Sequence, residues 1–371
     1  MAVRRRATGG LFVVLSWAAG CQLVSGIPDE LSLGAGNGGA GGATPMMCMR
    51  DEIPDPPAVD DVGGAEGFVV ALRTIDVGKG LNDALPGLNL DGLCSCTEDK
   101  RGCESIDPSD DKGYCDDDRG HDAASYALFG ALAYILNIED MSSFLRGLAE
   151  SGQWSVLLRV RGYNGASDDD QVEVGWYGSL GLTASPEWQG ADAWSIRQEF
   201  VAPVQADPHA PRFIDGTAYV TGNKLVARLP EAPLPISDGA FTAMYAALSN
   251  LVLVARIDRT AGGLFQLREG KIGAKLPVSE LFPMLASVRD TKGNPFCKDA
   301  FFYLATRQIT CRAADVLLAD TTDKNTLCEA LSFAMDFEAD PAMLGAVKPS
   351  PLPSAGCPVE TDPALDDCSG L

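Results

Sequence analysis

Ten carboxylates fall within residues 98–122: Glu98, Asp99, Glu104, Asp107, Asp110, Asp111, Asp116, Asp117, Asp118 and Asp122. Hard cations such as Ca²⁺ take about six to eight oxygen ligands, often from closely spaced aspartates beside a glycine that permits a sharp turn. Asp116, Asp118 and Asp122, with Gly120 between them, imitate that arrangement and are the expected calcium ligands. The helix-loop-helix calcium pattern itself is not met, because glycine stands at loop position five and no glutamate closes the loop. The competing expectation is a solvated acidic loop in which Asp122 caps the helix that follows.

The loop from residue 91 to 122 holds Cys94, Cys96, Cys103, Cys115 and His121, which can be drawn as a zinc set. The spacing is not the paired C-x-x-C form, and cysteines of exported proteins form disulfides, so bridging is the stronger expectation. Signatures of catalysis are scarce. Two histidines, His121 and His209, leave a nucleophile–histidine mechanism little to use. Gly178-Ser179-Leu180-Gly181 has Tyr177 where a nucleophile elbow needs its first glycine. Paired carboxylates for glycoside hydrolysis remain open, since acids abound. Among Tyr163, Trp176, Tyr177, Trp188 and Trp194, Trp176 is in phase with Val172 and Val174 and belongs to a core. Tyr177 falls on the opposite face and is the candidate ligand-binding aromatic.

The elements that must position these residues follow from periodicity. Phe68–Ile75 is β-branched and apolar, a buried strand. Ala123–Leu136 is almost wholly apolar yet too short to span a membrane, so it reads as a core helix, and Ser142–Glu150 as an amphipathic one. From Trp154 the period changes to two, with a turn at Asn164-Gly165 and alternation resuming over Val172–Tyr177. Trp194–Phe200, Thr217–Thr221, Lys224–Leu229 and Leu251–Asp258 read as strands, with a tight turn at Gly222-Asn223. Asp238–Leu248 and Val278–Val288 read as helices. Leu331–Glu338 alternates without a break and is a strand.

The N-terminus, MAVRRRATGGLFVVLSWAAGC, has a basic start, a short apolar run and small residues, the form of an export signal. Its ending, Ala18-Ala19-Gly20-Cys21, resembles a bacterial lipobox, which makes Cys21 the expected lipidation site; Gln22 then points to the outer membrane. The chain has 11 cysteines. With Cys21 acylated, Cys48, Cys94, Cys96, Cys103, Cys115, Cys297, Cys311, Cys328, Cys357 and Cys368 can all pair. The early group, Cys94 to Cys115, is expected to pair mainly within itself, and Cys357 and Cys368 with each other or with a nearby late cysteine. The net charge of −22 falls to −25 once Arg4, Arg5 and Arg6 are removed with the signal. Such a surface repels nucleic acid.

The expected organisation is a signal at 1–20, a Gly/Pro-rich tether at 21–62, a disulfide-containing β-rich domain at 63–345 with an acidic cysteine loop at 91–122, and a Pro-rich tail at 346–371. The expected class is α+β, an antiparallel β-sandwich-dominated body with inserted helices. FVVALRTIDVG (68–78), LDGLCSC (90–96), YCDDDRGHDAA (114–124) and VLLRVRGYNGASDDDQVEV (156–174) resemble segments of a group of uncharacterised bacterial lipoproteins. The likeness continues in REGKIGAKLPVSELFPML (268–285) and LCEALSFAMDFEADPAMLG (327–345). It implies this layout and no activity. The sequence thus points to a membrane-tethered envelope protein that binds a carbohydrate or protein ligand without catalysis, with calcium as its sole candidate cofactor. The rival is an extracellular polysaccharide hydrolase.

The intact mass of the mature protein is expected to show an acylated Cys21 and no alkylatable thiol before reduction. An unmodified chain beginning elsewhere rejects the anchor.

Overall fold

Runs that alternate with period two bury one face and leave hydrogen-bonding edges that must be paired. In the computed structural model these edges are satisfied by closure of one sheet. The structure describes residues 52–58, 63–64, 66–78, 85–95, 101–106, 115–203, 206–237, 242–290, 292–351 and 356–370. All of them lie within the unit Pro45–Leu371. Among the described residues twelve strands are formed: β1 (Glu66–Asp76), β2 (Cys103–Glu104), β3 (Val156–Tyr163), β4 (Asp169–Gly178), β5 (Ala193–Arg197), β6 (Phe213–Thr221), β7 (Lys224–Ser237), β8 (Thr242–Arg259), β9 (Phe265–Pro277), β10 (Asp323–Leu327), β11 (Ala330–Pro341) and β12 (Met343–Lys348). Four helices accompany them: α1 (Ser125–Leu136), α2 (Met141–Glu150), α3 (Val278–Ser287) and α4 (Tyr303–Arg312).

The fold is α+β and its body is antiparallel, as the alternation requires. Eight strands join in the order β1-β11-β9-β8-β7-β6-β4-β3 and close back on β1. Each barrel strand pairs with its chain neighbours among the eight, so the path is up-and-down, and the two layers of apolar side chains come from opposite walls of one sheet. An eight-stranded barrel is just wide enough for side chains to fill it. One continuous core draws on Leu72 of β1, Leu158 of β3, Trp176 of β4, Leu234 of β7, Leu253 of β8 and Phe333 of β11. Two small parallel pairs, β2 with β10 and β5 with β12, stand apart from the barrel.

The hairpin between β6 and β7 turns at Gly222 and Asn223, both at positive φ (54° and 64°), the conformation that glycine and asparagine adopt most readily. The β6–β7 ladder then runs only over Tyr219–Thr221 against Lys224–Val226. Beyond it, β7 leaves its partner. Asp215 accepts the Arg228 backbone N–H at 2.6 Å, and two indoles take over further along. Trp176 Nε1 donates to the Pro233 carbonyl at 2.9 Å and Trp154 Nε1 to the Pro235 carbonyl at 2.5 Å. Proline has no N–H to give, so it is tolerated on this unpaired edge of the strand, and the buried tryptophans satisfy its acceptors.

Two sequence expectations are corrected here. Asp238–Leu248 is not a helix: its described part enters β8, where Met244, Ala246 and Leu248 are buried and Tyr245 exposed. The Ala-rich composition favours helix, but the long second half of β7 needs a partner, and alternation meets it. The helix α4, not anticipated from the sequence, is weakly amphipathic and is held instead by the Cys311–Cys368 bridge. The other disulfides are Cys297–Cys357 and Cys103–Cys328, and Cys94 and Cys115 are also disulfide-bonded. The tail therefore ties to nearby late cysteines, but Cys103 reaches 225 residues forward rather than to its early neighbours. The cause is the β2–β10 pairing, which sets Cys103–Glu104 beside Asp323–Leu327. Cys21, Cys48 and Cys96 lie outside the described residues. These bridges fit an oxidising, exported environment. Among the described residues, no helix is long and apolar enough to cross a membrane.

Part of the segment expected as tether also packs on the barrel. Ile53 packs on the cluster of Leu88, Tyr219, Val226, Val252 and Val254, and Tyr219 Oη donates to the Pro54 carbonyl.

Replacing Trp176 by Phe keeps the ring and removes its N–H, leaving the Pro233 carbonyl without a donor. A loss of about 1–3 kcal/mol in urea unfolding is expected, with an unchanged m-value. An unaltered midpoint would mean that this edge needs no indole.

Candidate functional site: a buried carboxylate cluster

The chain between β1 and α1 forms two segments that lie against each other, 88–95 and 115–122. Asp122 N–H donates to the Leu88 carbonyl at 3.1 Å, and its carboxylate accepts the Leu90 N–H at 2.5 Å. Asp116 accepts the Ser95 N–H at 2.7 Å. Within the first segment Asn89 closes a turn, accepting from Gly92 N and donating to the Leu93 carbonyl. Gly120 sits where the segments touch. Its φ is +75°, and a Cβ there would stand 2.5 Å from Asn89 Nδ2 and 2.6 Å from the Leu93 oxygen. Only glycine fits.

This zipping brings one carboxylate oxygen each from Asp91, Asp116 and Asp122 within 4.8 Å of one another. Asp122 is only 2% exposed. A fourth acid, Asp315, is held by Ser332, whose N–H and Oγ donate to its two oxygens at 2.7 and 2.6 Å. Burial pushes the Asp116 carboxyl up to about 8, with the charges of Asp91 and Asp315 adding to the rise. Burial likewise raises Asp122 well above the ordinary carboxylate range, with Asp116 next in effect, and raises Asp315 to about 7. Like charges in a desolvated site disfavour ionisation of each other.

The donors fit a hard cation. Oxygens bound to one Ca²⁺ at about 2.3–2.6 Å stand at most about 5 Å apart across the ion, and the cluster is within that span. The ligand set is oxygen alone, which suits calcium and not zinc.

The structure brings together two of the three residues expected as ligands. Asp116 and Asp122 converge, but Asp118 lies exposed in a turn and Asp91 takes its place. Asp122 is not a helix cap either: the N-cap of α1 is Ala124, with no side-chain cap, and the Asp122 carboxylate is turned to Leu90 instead. The zinc set dissolves because Cys94, Cys103 and Cys115 are in disulfides. His121 is fully buried beside Asp117, its Nδ1 3.0 Å from the carboxylate. Burial raises the Asp117 carboxyl, but hydrogen bonds from His121 and from the Arg119 backbone outweigh it and hold the group down to about 2. Tyr177 is corrected as well. Its ring is fully buried and its hydroxyl donates to the Pro208 carbonyl at 2.9 Å, so it offers no face to a ligand. Asp91 and Asp315 went unread in the sequence, yet each stands among apolar residues, Leu90 and Leu93 for one, Ala314 and Val316 for the other. An acid in such a run marks a buried carboxyl.

The sign of the pH dependence follows. Asp116 and Asp315 hold protons in the fold up to about 8 and 7, whereas the unfolded chain releases them near 3.9. Without a cation, stability is therefore greatest at low pH within this window and falls as pH rises from about 4 to 8. One retained pKa unit is about 1.4 kcal/mol, or about 2–4 °C in Tm. In chelator, Tm is expected to drop by at least that much between pH 5 and 8, and Asp116→Asn/Asp315→Asn to flatten the slope. A flat wild-type profile would show the cluster ionised without cost.

Comparisons with family models, with curated proteins and with solved structures give no significant match to this chain.

Proposed function

We propose that this chain is a lipid-anchored protein of the bacterial envelope, stabilised by calcium, that binds a ligand and catalyses no reaction. The observation that carries the calcium reading is the convergence of Asp91, Asp116 and Asp122 oxygens within 4.8 Å. A cation there would replace the protons that burial otherwise forces on the cluster, and would clamp the 88–95 and 115–122 segments together. Such a role is structural, as is that of the Cys103–Cys328 bridge, which ties the same loop to the approach of β11. The lipobox-like ending at Cys21 and the likeness to uncharacterised lipoproteins support the anchor and the outer-membrane location.

The hydrolase reading needs a raised acid facing a second carboxylate across an open groove. Asp122, almost fully enclosed, gives a sugar no approach. Asp336 is pushed up by burial and lines an open cleft, but its carboxylate is tied to the Gly87 N–H at 2.8 Å and faces the charge of Lys271. The packed barrel and these commitments favour binding over hydrolysis.

Calcium at about 100 times its Kd adds about 2.7 kcal/mol to stability. At pH 7.5 it is expected to raise the Tm of the wild type by several degrees, to leave Asp116→Asn/Asp122→Asn unmoved, and to act on Asp118→Asn as on the wild type. Identical melting of the wild type in calcium and in chelator would reject the site.

A further inference from the structure

A second feature lies on the far side of the same loop. An open cleft of about 420 Å³ is lined by Arg119 from the loop, Arg146 from α2 and Lys271 from β9, together with four acids. In a chain of net charge −22, basic groups are expected to find acidic partners. Arg73, Arg256 and Arg268 do so. Arg119 and Arg146 do not: neither guanidinium makes a hydrogen bond or ion pair with any described residue, and the Arg146 Nε is buried with no partner at all. A guanidinium nitrogen removed from water without an acceptor is costly, so its retention beside a cleft calls for an acceptor from outside the chain.

The four acids of the cleft are already committed. Asp76 accepts from Ser142 Oγ at 3.0 Å and from Gly78 N at 2.9 Å. Asp336 holds the Gly87 N–H. Glu269 is paired with Arg256 at 3.2 Å, and Glu338 lies 4.0 Å from Arg268 Nε. Lys271 Nζ is fixed by the Gly87 carbonyl at 3.2 Å and stands 3.4 Å from His121 Nε2. Arg119 is aimed by its backbone, whose N–H donates to Asp117 at 2.9 Å. Two unspent planar forks and one anchored ammonium thus face one concavity.

We propose that this cleft binds a compact anion, a carboxylate or a phosphate-type oxyanion, held by Arg119 and Arg146 with Lys271 as the third charge. Guanidinium groups pair with both kinds of anion through two parallel N–H donors. The site stands apart from the cation cluster, for none of Asp91, Asp116 and Asp122 lines it.

The test is titration calorimetry of the full-length mature protein with succinate and with inorganic sulfate, the latter standing in for phosphate, at constant ionic strength and with calcium held constant. Saturable binding of at least one probe is expected, and which probe binds distinguishes the carboxylate from the oxyanion. Arg119→Gln and Arg146→Gln are each expected to weaken it by about tenfold or more, since a hydrogen bond to a charged group is worth at least that ratio. Arg161→Gln, which removes a guanidinium paired with Glu173 elsewhere on the barrel, is expected to leave it unchanged. Arg146→Gln is also expected to melt no lower than the wild type, because it removes an unsatisfied buried nitrogen. Binding of neither probe, or binding that both cleft variants retain, overturns the proposal.

Discussion

The first barrel strand is hydrogen-bonded on both edges, to β3 over Glu66–Ala71 and to β11 over Val70–Asp76. Everything else in the structure depends on that double pairing. It joins Val70 to Pro341, a long-range contact that the chain makes only after great loss of freedom, and it removes the exposed edges an open sheet would leave. It also sets the place of the carboxylate site. The chain leaving β1 runs past the start of β11, so Asp91, Asp116 and Asp122 meet the Asp315–Ser332 pair although some 200 residues separate them. The Cys103–Cys328 bridge fastens the same junction. In the chain-entropy account such a long loop contributes about 5 kcal/mol.

What this junction encloses is electrostatically unfavourable if left bare. Two carboxylates about 4.8 Å apart repel by about 3 kcal/mol at an effective dielectric of 20, and three acids make three such pairs. The backbone donors at Leu90 and Ser95 return about 1.5–3 kcal/mol each. Repulsion wins, so the cluster must take up positive charge, as protons or as a cation. Both give the same packing. They differ in what pH does to the protein, because protons leave near neutrality whereas a bound cation holds the acids ionised.

The fold was largely legible because its signal is repetitive. Alternation over Val156–Tyr163 or Leu331–Glu338 states strand and buried face at once, and Leu331, Phe333, Met335 and Phe337 are all buried. Closure was not legible, since no local pattern says that β1 has two partners. Where composition and period disagreed, as in Thr242–Asn250, the demand of the neighbouring strand decided the outcome. The site was legible in part for the same reason. Asp116 and Asp122 share one loop and can be read together, but Asp91 and Asp315 enter through tertiary pairing. Spacing along a chain cannot report that. Tyr177 failed differently: period two placed it opposite Trp176, which is correct, yet the Pro208 segment covers that face too.

The loop 115–122 has two faces of opposite character, and Asp117 with His121 forms the partition. On one side lie the carboxyl groups of Asp116 and Asp122, which take up protons or a cation; on the other Arg119 and Lys271 line the cleft. Residues alternating between the faces so close together would ordinarily neutralise each other. Here Gly120, at φ +75°, lets the chain turn tightly against Asn89 and Leu93 between Arg119 and Asp122. Charge separation of this kind costs stability, and it persists because the disulfide and the β1–β11 closure hold the segments in place. A side chain added at Gly120 would push the 115–122 segment off Asn89 and Leu93, and with it the acids that the zipping brings together.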